Sequence, residues 1–203
     1  MARRSRATAD GKKHSFGGEW TSTKLAVLAK YLTAYIDALK NQSFVTAYID
    51  AFAGTGYRTM SREREEDAPS GNLLFPDLAT DEPQQLLDGS ARLALKARGS
   101  GPQGADARFH RFIFIERDAD RCQQLEGLKA EFPDLAKDIR VEQGDANAEI
   151  QKLCAKKWSG RRAVLFLDPY GMQVEWPTIE AIAKTKAIDL WLLFPLGIGV
   201  SRL

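Results

Sequence analysis

The stretch RFIFIERDADRCQQLEGLKAEF, residues 111–132, decides the fold, because a short apolar run passes directly into a helical pattern. Residues 111–115 predict a strand, and residues 118–131 predict a helix. The same alternation continues downstream, with strands predicted at 139–142, 163–167 and 188–194 and helices at 146–157 and 178–184. Short apolar strands separated by amphipathic helices indicate a parallel sheet that is covered on both faces.

The residues before this stretch extend the pattern. Apolar residues at three- and four-residue steps predict a helix over 20–40, an apolar strand follows at 46–51, and another helix is predicted at 86–97. Residues 58–72 read as an exposed loop, and the glycine-rich residues 99–107 read as a flexible linker. Because crossovers between parallel strands are right-handed, the expected fold is a Rossmann-like, doubly wound, mainly parallel α/β sheet.

Length and charge suit a single core. The chain has 203 residues, of which 44% are hydrophobic, so we expect one domain over residues 14–203 behind a basic flexible tail, residues 1–13. The tail carries five basic residues against Asp10 alone, which fits a solvated tail or an arm that binds nucleic acid. The formal net charge of +2 does not by itself indicate a nucleic-acid partner.

Several classes of protein are disfavoured by composition. Two cysteines and two histidines are too few for a disulfide framework or a spaced zinc site, so no metal is expected. No apolar run approaches the roughly 18 residues of a membrane span, and no apolar segment follows the basic N-terminus as in a secretory signal. We therefore expect a cytoplasmic protein with no membrane partner; nothing in the sequence indicates its oligomeric state.

Ligands of doubly wound sheets bind at the carboxyl ends of the strands, so those ends are the candidate site. The first strand leads from Asp50 through Phe52 to a turn with Gly54 and Gly56. Glycines permit a tight turn and close backbone approach, although an ordinary strand-to-helix turn would also contain them. A dinucleotide fingerprint would need a third glycine where this chain has Thr59. The missing glycine suits S-adenosylmethionine, which has no pyrophosphate to be held.

The second and third strand ends each supply an acidic residue. Glu116 can accept the ribose hydroxyls of an adenosine ligand, while Asp118 is better placed to cap the next helix. Asp145 can accept a hydrogen bond from the adenine amino group, with the backbone amide of Ala146 serving a ring nitrogen. Taken alone, Asp145 would be interpreted as a helix N-cap.

The fourth strand ends in Asp168-Pro169-Tyr170-Gly171. The Asp168 carboxylate and the Pro169 carbonyl can accept the N–H groups of an amine, and the Tyr170 ring can stack on a planar substrate. Asp-Pro and Tyr-Gly are also turn dipeptides, so a plain turn is the alternative for this motif alone. The ordered series of glycines, acid, acid and Asp-Pro-aromatic over four strand ends favours one pocket for S-adenosylmethionine.

With these motifs, the chain resembles the three-Cys-motif partner protein family, TcmP. The matching segments are WTSTKL at 20–25, YIDAFAGTGY at 48–57, FIE at 114–116, GDAN at 144–147 and FLDPYG at 166–171. The resemblance covers most of residues 20–203 and implies a neighbouring protein with a three-cysteine motif as partner. The fourth motif also resembles the Asp-Pro-Pro-Tyr element of amino-directed DNA and RNA methyltransferases, but with one proline. Related chains continue with a further helix and an antiparallel hairpin, so this chain is expected to be incomplete after Leu203.

The resulting prediction is an S-adenosylmethionine-dependent methyltransferase that acts on an amino nitrogen of a nucleobase or another planar substrate. Asp168, Pro169 and Tyr170 are the predicted catalytic residues, and Asp50 is a predicted acceptor near the methionine amino group. The alternative is a catalytically inactive, methyltransferase-like protein that docks another protein or nucleic acid. The tryptophans of the second half of the chain are expected to pack in the core: Trp158, Trp176 and Trp191.

Overall fold

The computed structural model describes residues 16–51, 82–101, 106–169 and 173–193. These residues form an α/β fold around a five-stranded, all-parallel sheet. The elements in chain order are α1 Phe16–Leu39, β1 Val45–Ala51, α2 Glu82–Lys96, β2 Gly99–Ser100, β3 Asp106–Ala107, β4 Arg111–Glu116, α3 Ala119–Glu131, the 3-10 helix Pro133–Asp138, β5 Ile139–Gln143, α4 Ala146–Cys154, β6 Arg161–Leu167, α5 Trp176–Thr185 and β7 Ile188–Leu192.

The strand order of the main sheet is β5-β4-β1-β6-β7. The first strand lies at the centre, where Asp50 stands opposite Phe114 of β4 and Phe166 of β6. The chain continues from β1 toward one side of the sheet and from β6 toward the other, so the boundary between β1 and β6 is the topological switch point. This arrangement is consistent with a Rossmann-like fold.

Side chains of the sheet alternate between two apolar cores. One core joins the face of Tyr48, Phe114 and Phe166 to α1, α2 and α3. The other core joins the face of Ile49 and Leu165 to α4 and α5. Both faces of the sheet are therefore covered by helices, which confirms the expectation drawn from the continuous apolar strands.

The prediction of a flexible linker at 99–107 is wrong for the described residues of this segment. Gly99 and Ser100 pair with Asp106 and Ala107 as a short antiparallel ribbon. The backbone N–H of Ser100 also donates to Asp37 Oδ1 of α1 at 2.7 Å. The ribbon is fixed by an acceptor more than 60 residues away in the chain, which glycine-rich composition cannot reveal.

The expectation for the tryptophans is wrong for Trp176, which is 71% exposed at the start of α5. Trp191 packs against the first core and Trp158 against the second, as predicted. The indole N–H of Trp176 donates to Glu180 Oε1, one helical turn further along α5, at 2.9 Å.

Helix ends also shift from the predicted bounds, since α1 begins at Phe16 and α4 ends at Cys154. The predicted basic tail 1–13 and the predicted loop 58–72 lie outside the described residues. In the part of the chain that the structure describes, no helix combines the length and the apolar character needed to cross a membrane.

The glycines at 99 and 127 provide a matched test of this packing. A Cβ on Gly99 would lie 2.8 Å from both Asp37 Oδ1 and Ile36 Cγ2, whereas a Cβ on Gly127 of α3 would meet nothing within 4 Å. We expect Gly99→Ala to lower the free energy of unfolding by about 1–3 kcal/mol through overpacking. Gly127→Ala should raise it by about 0.5–1 kcal/mol, because alanine loses less backbone entropy in a helix. Urea denaturation measures both; equal shifts would contradict the packing of the ribbon against α1.

Candidate functional site

The carboxyl ends of β1, β4 and β6 lie side by side at the switch point. Asp50 is the penultimate residue of β1, Glu116 ends β4, and Asp168 follows the last residue of β6. The negative charges of Asp168 and Glu116 both act to raise the pKa of Asp50, so the three carboxyl groups lie within electrostatic reach of one another. The structure thus brings together three of the side chains that the sequence placed in one site.

Asp50 is buried and held by two hydroxyl groups. Its side chain is 2% exposed, and its Oδ2 accepts hydrogen bonds from the Tyr48 hydroxyl at 2.9 Å and from Ser90 Oγ at 2.7 Å. Burial raises the pKa of Asp50 to about 7, the two hydroxyl donors oppose that rise, and the nearby carboxylates add to it. At neutral pH a large share of the molecules therefore carries Asp50 in its neutral form.

Glu116 is equally buried, also at 2% exposure, but its two oxygens differ. Oε1 accepts the backbone N–H groups of Arg117 at 2.7 Å and Asp118 at 2.9 Å. Oε2 is buried and has no hydrogen-bond partner among the described residues. Burial raises the pKa of Glu116, and the two N–H donors counteract this. A buried acceptor without a donor is costly, so Oε2 is a place where a ligand hydroxyl would be stabilising.

The acidic residues that follow β4 and β5 cap the next helices. Asp118 Oδ1 accepts the N–H of Arg121 at 3.0 Å, which confirms its predicted capping role. Asp145 Oδ1 accepts the N–H of Ala148 at 3.0 Å, so the N-cap interpretation of Asp145 is correct in this structure. The Gly144 N–H donates to the Glu116 carbonyl at 3.0 Å, which holds the turn before Asp145 beside the end of β4. The role of Asp145 and Ala146 toward adenine stays a prediction.

Asn147 is a site residue for which the sequence predicted no role. Its Nδ2 donates to the Gln173 carbonyl at 2.9 Å, and its Oδ1 accepts the Glu175 N–H at 3.0 Å and the Thr178 hydroxyl at 2.8 Å. These bonds fix residues 173–175, a few positions after Asp168 and the buried Pro169. The sequence pattern does not distinguish Asn147 from any other residue in the first turn of a helix, because its partners lie in a distant segment, residues 173–178.

Tyr48 and Ser90 were also missed as partners of Asp50. The spacing of Tyr48 and Asp50, two residues apart on one strand, places both side chains on the same face and was an available signal. Ser90 offers no such signal, since its contact depends on how α2 packs on β1. The predicted residues Phe52, Gly54, Gly56 and Tyr170 lie outside the described residues. Within the described ranges, no group of three or more His, Cys, Asp or Glu side chains is arranged to hold a metal ion.

Comparison of the chain with protein-family models, with curated proteins and with solved structures finds no match.

The raised pKa of Asp50 makes stability depend on pH. Between pH 4 and pH 7 the native state keeps a proton that the unfolded state has lost, so the free energy of unfolding falls as pH rises through this window. Asp50→Asn keeps an oxygen acceptor for both hydroxyls but cannot ionise. As pH rises, we expect the free energy of unfolding of the variant to increase relative to that of the natural chain, by at most about 4 kcal/mol above pH 7.

Urea denaturation from pH 4 to pH 8 checks this expectation. Asp106→Asn, which changes an exposed residue of the ribbon, is the matched control. A stability difference between Asp50→Asn and the natural chain that stays constant over this range would show that Asp50 does not titrate there.

Proposed function

We propose that this chain is an S-adenosylmethionine-dependent methyltransferase that acts on an amino nitrogen of a nucleobase or another planar substrate. The observation that carries the proposal is the buried, unpartnered Oε2 of Glu116 at the end of the strand beside the switch point. In sheets of this order, a carboxylate at that strand end binds the ribose of an adenosine-containing ligand.

The described residues fit the adenosine part of this cofactor. Glu116 is fixed through Oε1 by two backbone N–H groups, which leaves Oε2 as the acceptor for a ribose hydroxyl. The turn at Gly144, bonded to the Glu116 carbonyl, brings Asp145 and Ala146 to the neighbouring position, where the adenine ring would lie. Thr59 in place of a third glycine favours a ligand without a pyrophosphate.

The methionine part of the cofactor would lie over β1. Asp50 lies within electrostatic reach of Asp168 and Glu116, and we assign it as an acceptor near the methionine amino group, and the sequence motif assigns Phe52, Gly54 and Gly56 to cofactor binding as well. A positively charged amino group favours the ionised form of a carboxyl group. Binding would therefore lower the pKa of Asp50 and release a proton near neutral pH.

When bound, the cofactor supplies an electrophilic methyl group on a sulfonium, and the chain contributes position and electrostatics. The Asp168 carboxylate and the Pro169 carbonyl accept the N–H groups of the substrate amine, which orients the nitrogen lone pair. Tyr170 stacks on the planar substrate. Asn147 of α4 is hydrogen-bonded to Gln173 and Glu175, and so anchors on α4 the segment that follows the Asp168-Pro169-Tyr170 motif.

The proposal includes the finer features that the sequence suggested. These are a methyltransferase-type sheet, membership of the TcmP family, a cytoplasmic location and a three-Cys-motif protein as partner.

The cofactor assignment is tested by calorimetry with S-adenosylmethionine and with its demethylated product. Glu116→Gln keeps an oxygen for the two backbone N–H groups but replaces Oε2 by an amide, and hydrogen bonds to a charged group are worth about 1.5–3 kcal/mol. We expect the variant to bind about 10- to 100-fold more weakly. Glu126→Gln, in an exposed ion pair with Lys129 on α3, should bind like the natural chain. The absence of any binding by the natural chain would remove the proposal.

The reaction is tested by transfer of labelled methyl groups to total RNA and to sheared genomic DNA, followed by digestion to nucleosides. Asp168→Ala should reduce transfer by about 100-fold or more, because an acceptor that positions the amine is lost, while cofactor affinity changes little. If the natural chain binds the cofactor but labels neither nucleic acid nor protein, the inactive docking protein becomes the better interpretation. Transfer that is unchanged in Asp168→Ala would refute the role given to this residue.

A further inference from the structure

The opposite edge of the sheet, where the strands begin, contains a basic cleft. The cleft has a volume of about 430 Å³ and lies between the end of α4, the start of β6 and the end of α5. Its cationic lining residues are Lys156, Arg162, Lys184 and Lys186, and the described residues that line it include no carboxylate. Lys184 forms only a loose ion pair, with its Nζ 3.7 Å from Glu180 Oε2. Four like charges around one concavity repel one another unless an anion enters it.

Arg162 is held in place before any ligand arrives. Its guanidinium lies 4.1 Å from the centroid of the Phe44 ring, and its Nη1 donates to the Arg161 carbonyl at 2.7 Å. Phe44 also lines a second cleft of about 740 Å³ at the same edge. Arg162 lines the first cleft and Phe44 the second, so their contact makes the two clefts neighbours at the beginnings of the strands, and we call the two clefts together the track.

The second cleft is also mainly basic. It is lined by Lys40, Arg108, Arg111 and Lys137, against two acidic residues, Asp106 and Asp138. Asp138 is already engaged in an ion pair with Arg111. Lys40 is likewise paired with Asp37. The second cleft therefore adds mainly Arg108 and Lys137 to the four cations of the first, and two neighbouring basic clefts suit an extended polyanion better than a single small anion.

Lys186 adds an observation that is independent of charge. It caps the end of α5 with φ of 51° and ψ of 26°, in the left-handed region. A side chain other than glycine costs roughly 1 kcal/mol or more in this conformation. A glycine would end the helix with less strain, whereas the lysine places a cation on the lining of the cleft.

We propose that this amino edge of the sheet binds the phosphate backbone of a nucleic acid. An extended row of lysines and arginines with an aromatic partner matches the way proteins hold nucleic-acid backbones. A lipid surface fits less well: of the exposed large apolar side chains among the described residues, Val27, Val45 and Trp176, only Val45 lies at this edge. The track is separated from Asp168 by the length of β6, about 23 Å, so the proposal stands apart from the reaction suggested above.

Substitution of Lys186 separates binding from folding. Fluorescence anisotropy would measure the affinity of the full chain for a short labelled RNA and for a labelled DNA duplex at several salt concentrations. Lys186→Gly should bind about 3- to 10-fold more weakly and lower the salt-dependence slope by about 0.7 for single strands, because one phosphate contact is lost. The same variant should have a higher Tm, since glycine relieves the left-handed strain, so weaker binding could not be ascribed to unfolding.

The controls keep the residues 1–13 unchanged, so that any contribution of that basic segment is common to all variants. Lys186→Arg should bind like the natural chain, and so should Lys129→Ala, which removes a lysine from the surface of α3. Unchanged RNA and DNA affinity in Lys186→Gly would overturn the proposal. It would equally be overturned if phosphatidylserine vesicles or inorganic phosphate, but neither nucleic acid, bound in a Lys186-dependent manner.

Discussion

The parallel pairing of β1 with both β4 and β6 is the constraint on which the site depends. Because Asp50 stands between Phe114 and Phe166, the three strands end at the same level, and the residues that follow them must meet. The strand order reverses at this point, so no crossover helix fills the space above the strand ends. Topology and the residues that terminate the strands therefore bring buried acidic side chains together at this point.

Bringing three carboxyl groups together would be strongly unfavourable if all were charged and buried. The structure resolves this conflict in a different way for each buried group. Asp50 is partly neutral at pH 7 and accepts hydrogen bonds from two hydroxyl groups, whereas Glu116 accepts hydrogen bonds from two backbone N–H groups. Oε2 of Glu116 has no donor, so a ligand hydroxyl would stabilise this oxygen more than either oxygen of Asp50.

Much of the fold was predictable, because the decisive signals are local. Continuous apolar strands and helical periodicity gave the five parallel strands and the helices on both faces, and the position of Asp118 just before a helix identified it as a cap. The contacts that were not predicted share a different cause. The bonds of Ser90 to Asp50 and of Asn147 to residues 173–175, and the ribbon that begins at Gly99, all join segments that are distant in sequence. No pattern along the chain encodes such contacts.

The two edges of the sheet differ in charge for a reason that the topology supplies. In this parallel fold α3 and α4 begin beside the strand ends, so Asp118 and Asp145 lie at positive helix N-termini. At the other edge α4 and α5 end, and cations are favoured near their negative C-termini. Helix polarity accounts for the charges of Lys184 and Lys186 at the end of α5, but not for Arg162 on a strand or for the left-handed strain at Lys186. The basic edge therefore exceeds what helix polarity alone requires, and a polyanion held there would stay clear of the acidic strand ends.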